Sequence, residues 1–142
     1  MQALVLEGIH QPLQWLEVPD PVPAADEVVV QLQAAALNHR DVWIQKGQYA
    51  GLRFPAILGS DGAGVVTGAA EANAAWIGKE VIINPGIHWG TNPQAQTKSF
   101  KILGMPDPGT FAQYVKVPAT HVVPKPAHLT PSAVKLPVVK LR

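Results

Sequence analysis

Pro55-Ala56-Ile57-Leu58-Gly59-Ser60-Asp61-Gly62-Ala63-Gly64-Val65-Val66 is the stretch on which the fold turns. Its glycines fall at 59, 62 and 64. That is not the G-x-G-x-x-G spacing of a diphosphate cradle, and β-branched Val65 and Val66 follow where such a cradle needs a helix. The stretch predicts a turn leading into a strand, with glycine permitting a bulge or a close approach of backbone. The same grammar extends in both directions: short runs of Val, Ile and Leu punctuated by 14 prolines and 12 glycines. This is the pattern of a mainly β protein with many short strands and tight turns.

Strands are predicted over residues 3–6, 13–18, 27–35, 62–67, 80–84, 110–117, 121–123 and 138–141. Asp20-Pro21-Val22-Pro23 cannot donate a regular ladder and predicts a loop crossing an edge. One or two helical turns are expected over 38–46, with Asn38 or His39 capping the start and Gly47 stopping the element in a left-handed conformation. Val42, Trp43 and Lys46 then lie toward one side. Periodicity vanishes over 85–108, and an excursion of that length is usually functional or independently braced. Trp43 and Trp76 are expected in the core, whereas Trp89 in the irregular loop is left open.

The chain has 142 residues, 47% hydrophobic and 15% charged, enough for one core and too few for two. A net charge of +1, without a basic block or an acidic tail, offers no footprint for nucleic acid or a membrane surface. No apolar run approaches the roughly 20 residues that span a bilayer, and the N-terminus does not read as a signal peptide, so a cytoplasmic protein is expected. There is no cysteine, which excludes disulfides, thiolate nucleophiles and Cys-based zinc sites. His10, His39, His88, His121 and His128 show no ligand spacing and are expected mostly on the surface or in loops.

Three stretches carry a resemblance. They are Ala34-Ala35-Ala36-Leu37-Asn38-His39-Arg40-Asp41-Val42-Trp43 with Gly47-Gln48-Tyr49; the stretch from Pro55 to Val66 quoted above; and Gly78-Lys79-Glu80-Val81-Ile82-Ile83-Asn84-Pro85, continued by Gly109-Thr110-Phe111-Ala112-Gln113-Tyr114-Val115 and Val122-Val123-Pro124-Lys125-Pro126. In order and spacing, over about residues 1–130, they resemble the N-terminal part of zinc-independent medium-chain dehydrogenases and quinone reductases. The resemblance implies a GroES-like, partly open β barrel with one or two short helices and a long irregular loop, whose cleft faces a separate Rossmann domain. In zinc-containing relatives a cysteine stands where this chain has Asn38, and a histidine precedes an acid where it has Ser60-Asp61. With two matched ligand positions changed, no metal is expected in the cleft. The loop over 85–108 matches the lobe that holds a structural zinc in such relatives, and it too is expected to be metal-free.

By the same resemblance, Asn38, Asp41 and Tyr49 are the candidate catalytic residues at the mouth of the cleft. Asn38 could bridge to the cofactor's ribose or amide, Asp41 could hold backbone and loop in place, and Tyr49 could contact the nicotinamide ring or donate a proton. Asn38, His39 and Arg40 are the candidate cofactor contacts; for His39 and Arg40, helix capping or phosphate solvation is an equal alternative. The implied activity is hydride transfer in an NADP(H)-dependent quinone, enone or alcohol oxidoreductase with a small-molecule substrate.

The family's nucleotide-binding domain finds no counterpart here, so this chain is expected to bind no cofactor and to be incompetent for hydride transfer alone. Either Leu136-Pro137 is the family's Leu-Pro and the sequence stops, or residues 134–142 are the family's last strand, spliced on after natural or engineered excision of that domain. The second is favoured because Val138-Val139-Lys140-Leu141 makes a good strand. An uncovered interdomain face would promote weak self-association. The competing readings are a non-enzymatic, minimal or engineered β-barrel scaffold or binding module, and a cochaperonin.

Overall fold

The computed structural model describes residues 1–130 and the backbone of residues 138–139. Strand β1 (Gln2–Leu6) lies between β2 (Gln14–Glu17) and the two-residue β4 (Ala56–Ile57), all antiparallel. A second sheet is organised around the ten-residue β3 (Glu27–Ala36). Along one edge of β3 runs β5 (Asp61–Ala69), followed by β6 (Glu80–Ile83) and β10 (Val122–Pro124). The other edge is shared: β9 (Tyr114–Pro118) pairs with residues 27–31, and β11 (Val138–Val139) pairs with Ala35 and Ala36.

Residues 111–113 join the two sheets. Leu4 N–H donates to Phe111 O at 2.7 Å, Gln113 N–H to Gln2 O at 3.0 Å, and Leu32 N–H to Gln113 O at 2.8 Å. These bonds curl the strands into the partly open barrel expected from the sequence. Val28, Val30, Leu32, Val66, Val81, Ile83, Val115 and Val117 fill its interior, and Leu6, Ala35, Ile44, Leu58, Met105 and Phe111 form a second cluster. Among the described residues, no helix is long and apolar enough to cross a membrane.

Gly64 explains why the opening stretch needs glycine. A Cβ there would stand 2.0 Å from Gln31 O, so any side chain would force β5 away from β3. The ladder is irregular on either side of this approach, with register shifts between Val29 and Val30 and between Leu32 and Ala34.

The helix α1 (His39–Gln45) starts after Asn38, which has extended backbone and occupies the N-cap. It ends on Gly47 at φ +74°, where Gln48 N–H reaches Trp43 O and Gly47 N–H reaches Ile44 O. This closure needs a left-handed residue, and Ile9 packs where a Cβ would go. Two expectations are corrected here. Trp43 is 44% exposed, because the helix turns Asp41 and Ile44 inward instead; its ring lies under Lys46 Nζ at 5.6 Å. The strand expected over 110–117 begins only at Tyr114, since Phe111 N–H is taken by Leu58 O and Ala112 makes a single bridge to Ala3. Trp76 is half-buried against the barrel interior.

The irregular loop contains its own small ladder, β7 (Gly86–Ile87) with β8 (Lys101–Ile102). Trp89 packs edge-on against Phe100 with ring centroids 5.1 Å apart, and Trp89 Nε1 donates to Asn92 O at 3.0 Å. At the far end of the barrel Lys125, its side chain 5% exposed, extends Nζ to Leu129 O at 2.5 Å and to Glu80 Oε2 at 3.3 Å. The pairing of Val138 and Val139 is the part of the expected 138–141 strand that is described; residues 131–137 and 140–142, and with them the joint of the supposed splice, lie outside the described residues.

Gly64→Ala is expected to destabilise the fold by about 3 kcal/mol or more through overpacking. Gly51→Ala, at φ +70° with open space around it, should cost only about 1–2 kcal/mol of backbone strain. Urea unfolding of the two variants beside the parent checks the contrast.

Candidate active site

The site forms where the start of α1 meets the turn between β4 and β5. Asp41 makes the joint. It is buried, and its Oδ2 accepts the N–H of Asn38 at 2.9 Å while its Oδ1 accepts the N–H of Gly59 at 3.3 Å. One carboxyl group thus holds its own helix start against a turn 18 residues away. Burial raises the Asp41 pKa above the ordinary aspartate value of 3.8; the two backbone bonds and the nearby Arg40 charge pull it back, and Asp61 adds to the rise.

Asn38 uses its side chain across the same gap, donating Nδ2–H to Asp61 Oδ2 at 2.8 Å. Asp61 is buried, and its backbone carbonyl accepts the Thr110 hydroxyl at 2.9 Å. Arg40 reaches deeper into the cluster. Its Nη1 donates to Ser60 Oγ at 2.9 Å and to Leu103 O at 2.8 Å, and its Nη2 donates to Tyr49 Oη at 3.3 Å. The guanidinium carbon lies 4.9 Å from the centre of the Tyr49 ring, within cation–π distance.

Asn38, Arg40, Asp41 and Tyr49 therefore belong to one connected cluster with Ser60 and Asp61. His39 does not join it: the residue is exposed, and its ring stands 6.3 Å from that of Trp43. Sequence reasoning treated Ser60 and Asp61 only as replaced metal ligands and missed their use as acceptors. A polar pair lodged between Gly59 and Gly62 at the start of an otherwise apolar strand was the available signal. Leu103 O was invisible, because a backbone carbonyl leaves no mark in composition.

The donor set does not suit a catalytic zinc. A carboxamide and a hydroxyl stand at two matched ligand positions, and a guanidinium already bonds to the hydroxyl, so a divalent ion would meet a like charge. Among the described residues no three His, Cys, Asp or Glu side chains gather as a metal site. A separate cavity of about 510 Å³, bordered by Ile57, Ile87, Leu103 and Val115 and by the Lys116–Glu27 pair, includes none of the candidate residues.

Residues 24–127 match the family model of the alcohol dehydrogenase GroES-like domain. The chain belongs to this family. This GroES-like domain is 35% identical over 131 residues to the zinc-type alcohol dehydrogenase-like protein YogA of Leptosphaeria maculans, a match covering 85% of this chain and 37% of that protein. It is 34% identical over 130 residues to the trans-enoyl reductase tndF of Aspergillus flavipes, covering 91% and 35%. The crystal structure of an NAD-dependent alcohol dehydrogenase superposes with a TM-score of 0.81 at 36% identity, over 93% of this chain and 41% of that one. The domain spans well under half the length of these relatives.

The raised Asp41 pKa has a definite sign in stability. Between the unfolded and folded values the native state holds the extra proton, so stability contributed by protonated Asp41 is complete below about pH 4 and declines as pH rises through the folded value. Asp41→Asn removes this dependence. The stability of the parent relative to the variant is therefore expected to fall across that window, as measured by denaturation at a series of pH values.

Proposed function

We propose that this chain is the substrate-binding domain of a nicotinamide-dependent oxidoreductase that reduces a polarised double bond, in an α,β-unsaturated carbonyl compound or a quinone. The cluster of Arg40, Ser60 and Tyr49 supports this most directly, because it sets hydrogen-bond donors where the family's cleft lies and gives a metal no suitable ligands. Such a site can position a carbonyl oxygen while hydride passes from nicotinamide C4 to the β-carbon. Similarity to a trans-enoyl reductase agrees with this reading, and the donor set, not similarity, favours it over oxidation of a simple alcohol, since alcohol dehydrogenases match the chain equally well. In this proposal Asn38 and His39 lie on the side nearest the cofactor, Asp41 fixes the backbone beneath, and Tyr49 is the donor that approaches the substrate. The cofactor is NADP(H), as for the parent enzyme implied by resemblance.

Among the described residues the sheets are antiparallel and carry no glycine-rich strand-to-helix turn to hold a diphosphate. Hydride transfer is accordingly assigned to the domain together with a nucleotide-binding domain. Leu37, Val42 and Trp43, all exposed around α1, are the proposed docking face, and the same face would drive weak self-association when uncovered.

The 142-residue chain alone is expected to oxidise no NADPH in the presence of cinnamaldehyde or a benzoquinone. Joined to the nucleotide-binding domain of the Aspergillus flavipes relative, it should do so, with loss of nicotinamide absorbance as the readout. A folded chimera that acts only on saturated alcohols would sink the proposal. Sedimentation of the isolated chain should reveal a weak, concentration-dependent dimer that Trp43→Lys reduces.

A further inference from the structure

Arg40 is a half-buried cation with no carboxylate at ion-pair distance among the described residues. The neighbouring acids are committed elsewhere: both oxygens of Asp41 receive backbone N–H groups, and Asp61 receives the Asn38 amide. A guanidinium has five N–H groups. Here both Nη1 hydrogens are used, on Ser60 Oγ and Leu103 O, and one Nη2 hydrogen goes to Tyr49. The Nε–H is buried without an acceptor, and Tyr49 Oη is the one acceptor recorded for Nη2 among the described residues. Tyr49 Oη accepts from Arg40, which leaves its own proton free to donate.

A guanidinium stays charged at any working pH, and partial burial strengthens its attraction for an anion that can reach it. Buried charges are as a rule paired with an opposite charge. This one is hydrogen-bonded to a hydroxyl, a carbonyl and a phenol, and the neighbouring Asp41 carboxyl acts on it only from beyond ion-pair distance. The fork is anchored through Nη1, and the Nη2 edge is presented beside the tyrosine hydroxyl.

We infer that Arg40 and Tyr49 together form a binding site for a negatively charged oxygen, specifically the carbonyl oxygen of an α,β-unsaturated substrate as it becomes an enolate. The inference rests on the reading given under Proposed function. When hydride adds to the β-carbon, a C–H bond forms, the carbon–carbon π bond breaks, and its electron pair shifts through the α-carbon onto the carbonyl oxygen. That oxygen gains a full negative charge until the α-carbon takes a proton from solvent. Arg40 Nη2–H and Tyr49 O–H are two donors side by side, and the first polarises the second. Interactions that strengthen as this charge develops lower the barrier, which is what a bound metal would otherwise do from the same region. Ser60 and Leu103 O act as positioning groups that hold the fork through Nη1, with Nη2 beside the Tyr49 hydroxyl.

Titration of the 142-residue chain with crotonate, a small unsaturated carboxylate, tests the site without any cofactor. The chain has three arginines, Arg40, Arg53 and Arg142, so their side-chain N–H resonances are separable by ¹⁵N NMR. A saturable shift confined to the Arg40 Nε–H and Nη–H signals is expected, with neutral crotonamide binding more weakly. Tyr49→Phe should weaken crotonate binding about two- to tenfold, the worth of one hydrogen bond, and Arg40→Met should abolish it. Because Arg40 also braces Leu103, Arg40→Lys serves as the second variant: its backbone amide spectrum should remain native while crotonate binding weakens through loss of the fork. The inference is overturned by an absence of saturable shifts at Arg40, by equal shifts at Arg53, or by unchanged affinity in Tyr49→Phe. Turnover by the chimera without crotonate binding would remove this inference and leave the proposed function standing. Crotonate binding with no enone or quinone turnover would do the reverse.

Discussion

A largely buried carboxyl group that accepts two backbone N–H groups from different parts of the chain is a strong geometric constraint, and Asp41 is such a group. Its two oxygens tie the first turn of α1 to Gly59, at the entrance to β5. With that distance fixed, Asn38 falls within reach of Asp61 and Arg40 within reach of Ser60. Gly59 itself admits no side chain: a Cβ would lie 2.5 Å from Thr110 Oγ1. The cluster is therefore assembled by backbone packing around one acid, and the contacts of its polar side chains are consequences of that packing.

How much of this could be read in advance follows from the length scale of each feature. The ten residues of β3 and the nine of β5 contain enough alternation and β-branching to declare themselves, and the capped helix starting at His39 carries both its start signal and its glycine stop. The two-residue strands β4, β7 and β8 were not anticipated, because two residues display no period. Trp43 was misplaced for a different reason. Its size argues for burial, but a seven-residue helix buries only a narrow stripe, and Asp41 and Ile44 occupy it. In the cleft, the helix residues stood out through resemblance, whereas the pairing of Asn38 with Asp61 and of Arg40 with Ser60 depends on long-range closure that no local pattern encodes.

The long loop after β6 shows how a segment can be ordered with little core of its own. An edge-on aromatic pair, Trp89 and Phe100, and a hydroxyl–hydroxyl contact between Thr97 and Ser99 brace it internally, while Leu103 and Met105 return to the barrel as buried anchors. That return also delivers the Leu103 carbonyl to Arg40. Gly104 packs against the Gly59 backbone and Met105 against Ile44 and Leu58, so a change that shifts residues 103–105 would reach the turn before β5, the core beneath α1 and the guanidinium together.

Lys125 bears on a different matter. Its ammonium is tucked under the turn that ends at Leu129 and is held by a main-chain oxygen there and by Glu80 on the neighbouring strand. The turn after β10 is thus tied to β6 by this ammonium as well as by the Lys125 N–H bond to Glu80 O. Acetylation or replacement of that amine would leave the β6–β10 ladder in place while unfastening the turn over residues 126–129 from it, which makes an inconspicuous lysine the clasp between the two.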